Sequence, residues 1–420
     1  MSNSHSVREL VSSTRKGITP KYVEFSDIVV LNQRCIRDNK IDYINARFHD
    51  PSKKFSKDKV VRVGDILINS TGVGTAGRCA FVRELPDSGT VITDSHVLIV
   101  RVKDYYTAGC LEYSLFSIQD KLQTFMDGST GQGEFDKQIL FNIVTGLPEY
   151  DKRKTVYDLL NSFDKKIELN NQINAELEAM AKTLYDYWFV QFDFPDINGQ
   201  PYKSSGGKMV YNEVLKREIP EGWKDCELGE HIEFQRGISY KSTDIKDDGV
   251  PFINLNSFLL TGQFKLSGTK YFNGNFKQES KLNVGDLVIA ITDVTRNADI
   301  TGKAFVIPDV FKEEPLISCD VAAVSSETFT VGYLEQLFNS DSYHAYIKNY
   351  ATGTLVLHLN LDGVNWFKTT LPPMTLLNRY EDYCKSLFKQ RNITLKENIQ
   401  LEKLRDWLLP MLMNGQVKVK

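Results

Sequence analysis

The stretch VGDILI at residues 63–68 returns as VGDLVI at residues 284–289. Other matches keep a nearly constant offset: Gly17-Ile18 with Gly237-Ile238, Leu111-Glu112 with Leu334-Glu335, Thr130-Gly131 with Thr352-Gly353, and Leu147-Pro148 with Leu371-Pro372. A fixed offset is the mark of a duplicated unit. The sequence therefore predicts two copies of one domain, the first closing at Pro148 and the second at Pro372.

Length and composition are those of an ordinary multidomain globular protein. The chain has 420 residues, of which 41% are hydrophobic and 25% charged, and its formal net charge is −3. A nucleic-acid-binding role would therefore depend on local basic clusters. The six cysteines stand singly, without metal-site spacing, and we expect them to be reduced and buried. Because neither a signal peptide nor an apolar run of roughly 18 residues is found, we expect a cytoplasmic protein.

Short β-branched runs between turn residues predict strands in both copies. They lie at residues 27–31, 66–68, 79–82 and 97–100 in the first copy and at 252–253, 287–290, 304–307 and 321–324 in the second. A helical stretch follows in each copy, around residues 111–125 and 331–346. The pattern indicates an α+β fold with small mixed sheets.

A long helix is predicted after each closing proline. Its apolar residues follow the 3-4-3-4 spacing of a heptad seam. The first seam comprises Val156, Leu160, Phe163, Ile167, Asn170, Asn174, Leu177, Ala181, Leu184 and Trp188, and the rougher second face comprises Tyr380, Cys384, Leu387, Asn398, Leu401, Leu404, Leu408, Met411 and Leu412. Each helix could pack only on its own domain, but two matching helices favour antiparallel pairing, with the seam asparagines fixing register and partner choice.

The predicted architecture is thus α+β, with two duplicated α/β domains separated by two long antiparallel coiled-coil helices and related by a pseudo-two-fold axis. The predicted boundaries are residues 1–148 for the first domain, 149–190 for the first spacer helix, 191–223 for a linker, 224–373 for the second domain and 374–420 for the second spacer helix. Within the linker, residues 194–208 are rich in Pro, Gly, Ser and Asn, as loops are.

One segment, STGVGTAGR at residues 70–78, contains the G-x-G-x-x-G pattern of dinucleotide-binding turns. Such a turn must open a helix, yet residues 79–82 have a strand pattern. The matching segment of the second copy, residues 292–302, keeps only the last glycine. We therefore interpret both segments as hairpin loops, and the alternative of a small cofactor-binding enzyme is disfavoured. We also find no phosphate loop, zinc-protease motif or nucleophile elbow, and the six histidines, including His96, are interpreted as structural.

A duplicated domain on a spacer suits the recognition of two half-sites on duplex DNA. Basic and aromatic residues interleave at the same place in both copies: Arg34, Arg37, Lys40, Arg47, Lys53, Lys54, Lys57 and Lys59 in the first, and Lys265, Lys270, Lys277 and Lys281 in the second. Candidate DNA-binding residues are Arg15, Lys16, Asn69, Ser70, Thr71 and Arg78 in the first copy and Arg236, Thr292, Arg296, Asn297 and Lys303 in the second. We expect Asn69, Thr71 and Arg78 to face outward. The alternative for each basic cluster is a solvated loop face.

The chain resembles the specificity subunits of type I restriction-modification systems over essentially its whole length. The resemblance is carried by residues 64–68 with Gly77-Arg78, by residues 130–133, by Leu147-Pro148 and above all by residues 177–223. It implies a non-catalytic subunit whose two target recognition domains each read one half of a bipartite, asymmetric DNA sequence. It also implies that the helices dock two methyltransferase subunits, which bind S-adenosylmethionine, and that a nuclease subunit can join them. A stand-alone repressor or an interaction scaffold whose coil only dimerises remains the alternative.

Overall fold

The computed structural model describes residues 4–72, 74–119, 121–122, 137–417 and 419. The chain divides into unit 1, formed by Met1–Glu168 with Asn398–Lys420, and unit 2, formed by Leu169–Glu397. Residues 130–133, which contribute to the family resemblance, lie outside the described part. No helix among the described residues has the length and apolar character that a membrane span requires.

Unit 1 is built from two four-stranded sheets with helices on one side. Its elements are β1 (Ser4–Ser6), α1 (Val7–Leu10), β2 (Val11–Lys16), β3 (Tyr22–Val23), β4 (Ile28–Leu31), β5 (Ile36–Arg37), β6 (Lys40–Ile41), β7 (Arg47–His49), β8 (Ile66–Asn69), β9 (Cys79–Phe81), β10 (Thr90–Thr93), β11 (Val97–Val102), α2 (Tyr105–Phe116), α3 (Lys137–Asn142), β12 (Val144–Gly146) and the start of the long helix α4 (Arg153–Tyr185). The sheet orders are β2-β11-β8-β9 and β10-β4-β7-β3, with the strand pairs β1-β12 and β5-β6 beside them.

Unit 2 begins inside α4, which continues as a π-helical turn, Asp186–Val190. Its elements are β13 (Met209–Asn212), β14 (Arg217–Pro220), β15 (Lys224–Glu227), β16 (Glu233–Arg236), β17 (Ile245–Lys246), β18 (Val250–Ile253), β19 (Lys270–Phe272), β20 (Leu287–Ala290), β21 (Thr292–Asp293), β22 (Ala304–Val306), β23 (Leu316–Ile317), β24 (Val321–Ser325), α5 (Val331–Asn339), α6 (Asp341–Ile347), β25 (Ala351–Thr352), β26 (Leu357–Leu359), α7 (Leu361–Asn365), β27 (Lys368–Leu371) and the long helix α8 (Met374–Met413), which ends in unit 1. The main sheet orders are β16-β24-β20-β22 and β17-β19-β18-β23.

The two units repeat one topology. The order β2-β11-β8-β9 corresponds to β16-β24-β20-β22, and the order β10-β4-β7-β3 corresponds to β23-β18-β19-β17. In each second sheet one pair is parallel, β10 with β4 and β23 with β18. The predicted duplication and α+β class are therefore confirmed, and all eight predicted strands are present.

The helix predictions need two corrections. The first helix begins at Tyr105, earlier than predicted, because the Asp104 carboxylate caps it by accepting a hydrogen bond from the Thr107 backbone N–H at 2.9 Å. The stretch predicted at 331–346 is two helices, because Ser340 ends α5 and its hydroxyl accepts a bond from the Tyr343 N–H at the start of α6.

The repeated Val-Gly-Asp turn starts the central strand of each main sheet. Gly64 and Gly285 have φ angles of 93° and 96°, a region that only glycine adopts without strain. The next residue, an aspartate, accepts a hydrogen bond from the backbone three residues earlier, at 2.8 Å in unit 1 and 2.7 Å in unit 2. The strand that follows is buried on both faces. This double burial explains why its sequence is continuously apolar instead of alternating.

A backbone crossing joins the two sheets of each unit at Gly17 and Gly237. A Cβ atom at Gly17 would lie 2.0 Å from the carbonyl oxygen of Asp94, and one at Gly237 would lie 2.1 Å from that of Ser318. The N–H of each glycine donates to the carbonyl that opens the neighbouring strand, Val97 at 3.0 Å and Val321 at 3.1 Å. Glycine is required at both crossings because backbone atoms leave no space for a side chain.

The long helices carry most of the predicted seam in buried or half-buried positions. In unit 2, Asn170 Nδ2 donates to Glu397 Oε2 at 2.8 Å and Tyr380 Oη donates to the Ala181 carbonyl at 2.9 Å. As residue numbers rise along α4, their partners fall along α8, so the helices run antiparallel in this unit. In unit 1, Ile167 and Asn398 are buried, Phe163 and Leu408 pack against the core and Leu401 is half-buried. In unit 2, Leu177, Leu184 and Leu387 are half-buried.

Two seam details differ from or refine the prediction. Leu404 was expected on the apolar face but is 43% exposed, because α8 presents the half-buried Arg405 guanidinium to Asp164 of α4 at 2.7 Å. Asn174 accepts a hydrogen bond from the Thr394 hydroxyl. The seam of α8 is thus partly polar, which accounts for its rougher sequence pattern.

Replacing Gly17 by alanine is expected to lower the free energy of unfolding by about 1–3 kcal/mol, the usual cost of forcing an atom into a packed site. Gly237→Ala should have a similar effect in unit 2. Urea denaturation followed by circular dichroism measures it. Thr19→Ala, at an exposed neighbouring position, is the control and should change stability by less than about 0.5 kcal/mol. Equal stability of G17A and T19A would contradict the steric argument.

Replacing Asn170 by leucine removes the amide donor that contacts Glu397. Because a hydrogen bond to a charged group is worth about 1.5–3 kcal/mol, we expect a lower melting temperature and weaker association of helix-docked partners. Asn174→Leu should act in the same direction. Neither variant should change the DNA sequence that is recognised, so an altered target sequence would contradict the assignment of these residues to the helix seam.

Candidate nucleic-acid interface

The glycine-rich segment 70–78 is a hairpin loop, as predicted. Strands β8 and β9 pair antiparallel, with Ile68 opposite Cys79, and the loop joins them. Gly72, Gly74 and Gly77 have φ angles of 106°, 68° and 84°. In unit 2 the corresponding loop joins β20 to β22, and Gly302, which matches Gly77, has a φ of 74°. The glycines thus serve the turn geometry of both loops.

Four of the predicted DNA-binding residues are buried, so the expectation that Asn69 faces outward is wrong. Asn69 Nδ2 donates to the Gln33 carbonyl at 3.0 Å, and Ser70 is only 2% exposed. Thr292 is also buried, and its hydroxyl donates to Asp320. Lys303 Nζ donates to the Asn339 carbonyl at 3.2 Å, and burial lowers the pKa of this lysine. The hydrogen bonds of Asn69, Thr292 and Lys303 hold the hairpin loops onto their units.

The other predicted residues reach solvent. Arg15, Lys16, Arg236, Arg296 and Asn297 are exposed, whereas Thr71 and Arg78 are half-buried. Lys16 lies opposite Leu98, and Arg236 lies opposite Ala322, so each directly precedes a crossing glycine at the same sheet position. The structure therefore places Lys16 and Arg236 at equivalent corners of the two units.

Basic residues of the first cluster gather near the Gly17 crossing. Lys53 Nζ donates to the Thr19 carbonyl at 3.0 Å, and Lys59 Nζ donates to the Lys16 carbonyl. Arg15, a predicted DNA-binding residue outside this cluster, lies beside the same crossing and pairs with Asp58, Nε to Oδ2, at 2.7 Å. Other members are spread more widely: Lys40 pairs with Glu168 of α4, and the Arg47 guanidinium lies 3.5 Å from the ring centroid of Tyr22.

The sequence argument missed two short turns that lead from β10 into β11 and from β23 into β24. We call them the corner turns; they comprise residues 94–96 in unit 1 and 318–320 in unit 2. His96 is exposed at the tip of the first, with Nδ1 hydrogen-bonded to the Thr71 hydroxyl at 2.7 Å. Asp320 occupies the same position in the second but is half-buried, and its Oδ1 accepts a bond from the Thr292 hydroxyl at 3.0 Å.

An alignment of the two repeats that matches Val97 with Val321 would have identified His96 and Asp320 as equivalent residues. Position by position, Asp94 then matches Ser318 and His96 matches Asp320. Cys319, expected to be buried, is exposed in the second corner turn, because the turn directs it away from the sheet. Among the described residues no group of three or more His, Cys, Asp or Glu side chains is placed to bind a metal ion.

A buried glutamate at the same place in each unit meets an arginine. Glu112 of α2 lies 3.7 Å from Nη2 of Arg83, and burial raises the pKa of its carboxyl to about 8. In unit 2, Glu335 of α5 accepts a hydrogen bond from the Val306 N–H and faces Arg391 of α8 at 3.5 Å. Burial also raises the pKa of Glu178 on α4, which faces Arg391 at 3.3 Å, to about 8. In unit 2, the contacts of Glu335, Glu178 and Arg391 therefore connect the main sheet and α5 to the long helices α4 and α8.

The raised pKa of the buried Glu112 carboxyl predicts that the free energy of unfolding depends on pH in a specific way. Its pKa is higher in the folded than in the unfolded chain, so between about pH 4.5 and 8 the folded state binds more protons. The stabilisation is present below this window and is lost as pH rises through it, by at most about 1.4 kcal/mol per pH unit. Glu112→Gln, which stays neutral, should flatten the dependence of melting temperature on pH, whereas Glu149→Gln, at an exposed site, should not. Parallel curves for the wild type and E112Q would refute this account.

Comparisons with known proteins point to one family. Residues 29–179 match the type I restriction modification DNA specificity domain. The HindI specificity subunit of Haemophilus influenzae, a type I restriction enzyme component, is 23% identical over 409 residues, which cover 86% of this chain and 88% of that protein. The MjaIX specificity subunit of Methanocaldococcus jannaschii is 21% identical over 313 residues, covering 73% and 69% respectively.

A solved structure shows the same fold. The S subunit of a type I restriction-modification system from M. genitalium aligns with a TM-score of 0.52 at 14% identity, over 97% of this chain and 95% of that one. The domain match, the relatives and the shared fold agree with the resemblance carried by residues 64–68 and 177–223. Residues 29–179 thus match a type I restriction modification DNA specificity domain, and the chain is similar over most of its length to specificity subunits of type I restriction-modification systems.

Proposed function

We propose that this subunit recognises a bipartite, asymmetric DNA target, unit 1 reading one half and unit 2 the other, and that it has no catalytic site of its own. The long helices dock two methyltransferase subunits, which bind S-adenosylmethionine and methylate adenine, and a nuclease subunit joins the complex in restriction. The chemistry is thus divided: this chain selects the site and its partners modify or cut it.

One observation carries the proposal: the two units have the same scaffold but different side chains at equivalent exposed positions. Asn32 and Asn254 each cap the same short helical turn through the backbone N–H two residues on. The residue whose N–H donates to this asparagine is Arg34 in unit 1 and Asn256 in unit 2, and both side chains are exposed. Two copies of a scaffold with unlike recognition groups suit an asymmetric target, whereas a symmetric repressor would present like groups.

The exposed cations suit contacts to DNA. Lys16 and Arg236 lie at equivalent strand ends, where they can contact phosphates and fix the orientation of each unit on the duplex. Arg296 and Asn297, exposed on the loop between β21 and β22, carry the guanidinium and amide groups that read guanine and adenine edges. Because the chain has a net charge of −3, the partner subunits are expected to provide further positive surface around the DNA.

Exposed apolar side chains on the long helices support partner docking. Within unit 2, Met180 and Tyr187 on the first helix and Tyr383 and Ile393 on the second are 36–58% exposed. Aromatic residues and methionine are enriched at protein interfaces. They provide contact area for methyltransferase subunits outside the seam that pairs the helices.

The test is to co-express the chain with an adenine methyltransferase subunit of this class and to map methylated adenines across the host genome. We expect one bipartite motif. Replacing residues 1–148 with the corresponding part of a relative should change one half of the motif and leave the other intact. Absence of a bipartite motif, or a swap that leaves both halves unchanged, would refute the proposal.

A further inference from the structure

We propose that His96 and Asp320, at the tips of the corner turns, each read a base edge in the major groove, and that their unlike chemistry contributes to the asymmetry of the target. This inference rests on the proposed function and assigns specificity to two residues that the sequence pattern did not single out.

The backbone of the first corner turn is held from several sides. The Asp94 N–H donates to the Leu31 carbonyl at 2.9 Å, and the His96 N–H donates to Asp94 Oδ1 at 2.9 Å. The His96 carbonyl accepts from the Ser70 N–H at 2.8 Å, and the Gly17 crossing lies against the Asp94 carbonyl. With the backbone fixed, the exposed imidazole is the group that the turn presents to solvent.

The second corner turn repeats this framework with other residues. The Ser318 N–H donates to the Ile253 carbonyl at 2.9 Å, and the Asp320 N–H donates to the Ser318 hydroxyl at 3.3 Å. The Asp320 carbonyl accepts from the Ile291 N–H at 2.9 Å. In both turns the residue two positions earlier closes the turn, so turn formation alone does not require a histidine or an aspartate at the tip.

A threonine from the neighbouring hairpin loop orients the tip side chain in both units. The hydroxyl of Thr71 contacts the His96 ring, and that of Thr292 contacts the Asp320 carboxylate. An oriented side chain loses less conformational entropy when it binds, which is the advantage of preorganisation. The orienting group is therefore kept in both copies, whereas the group it orients differs.

Cationic side chains flank the tips, as DNA contact requires. Lys16 is exposed opposite Leu98, two residues beyond His96, and Lys53 reaches the backbone at Thr19. Arg236 has the place of Lys16 in unit 2. Phosphate contacts from such residues would set the position of each unit, leaving the tip to reach a base.

The two tips prefer different bases. A carboxylate only accepts hydrogen bonds and has about four lone-pair sites, of which Asp320 uses two, for Thr292 and for Ser318. It suits the exocyclic amine of cytosine or adenine. The free Nε2 of His96 can donate to guanine N7 or O6 or accept from an amine, according to its tautomer. Unit 2 is thus expected to select an amine-bearing base at this position.

The experiment compares methylation motifs of the full chain, co-expressed with its methyltransferase, for the wild type, His96→Asp and Asp320→His. H96D should change one position of the first half toward cytosine or adenine and lower methylation of the original sites by about 5- to 150-fold. D320H should change only the second half. Thr71→Val should relax the same first-half position as H96D, and Thr71→Ser, which keeps the hydroxyl, should restore it.

Controls separate this inference from the proposed function. Lys103→Ala, exposed in the same unit at the opposite end of β11 from the corner turn, should leave the motif unchanged, and His96→Gln provides a milder change if H96D assembles poorly. A wild-type complex without a bipartite motif would refute the proposed function itself. With that motif present, the inference is overturned if H96D and H96Q methylate wild-type sites at the wild-type rate, or if both lose methylation of all sites without any change of motif.

Discussion

The rest of each unit depends on one close approach between backbone segments, where a glycine passes a carbonyl oxygen with no space for a Cβ atom. At Gly17 and Gly237 the chain passes from the main sheet to the second sheet of its unit. The corner turn lies beside this crossing and brings the chain back from the second sheet to the main sheet. This constraint fixes the orientation of the two sheets within a unit. The central strand is consequently buried on both faces, and the hairpin loop is held against the corner turn.

The elements that depend on local pattern could be predicted from the sequence. The duplication followed from VGDILI and VGDLVI because a positive-φ turn before a doubly buried strand leaves few alternatives at residues 63–68. The helix seam followed from its spacing, because α4 buries Ile167 and Ala181 at the expected positions. The glycine-rich segment was distinguished from a cofactor site by comparing it with its counterpart in the second copy.

Residues whose role depends on distant partners could not be predicted. Asn69 and Lys303 have the polar character of recognition residues, yet they are buried because the carbonyls of Gln33 and Asn339 lie within reach in three dimensions. No local signal marks such a partner. For the same reason His96, isolated in the sequence, was interpreted as structural although Thr71 orients it. Glu112 and Glu335 matched in the repeat, but only the structure shows the arginines they meet.

In each corner turn, the groups that close the turn are different from the tip side chain that is proposed to read a base. Turn closure uses the residue two positions before the tip and backbone groups, so the backbone of each corner turn can form with different side chains at the tip. Histidine and aspartate codons differ at a single nucleotide. One point mutation in the gene therefore suffices to convert the tip of one unit into that of the other, giving natural selection a short route to a new target.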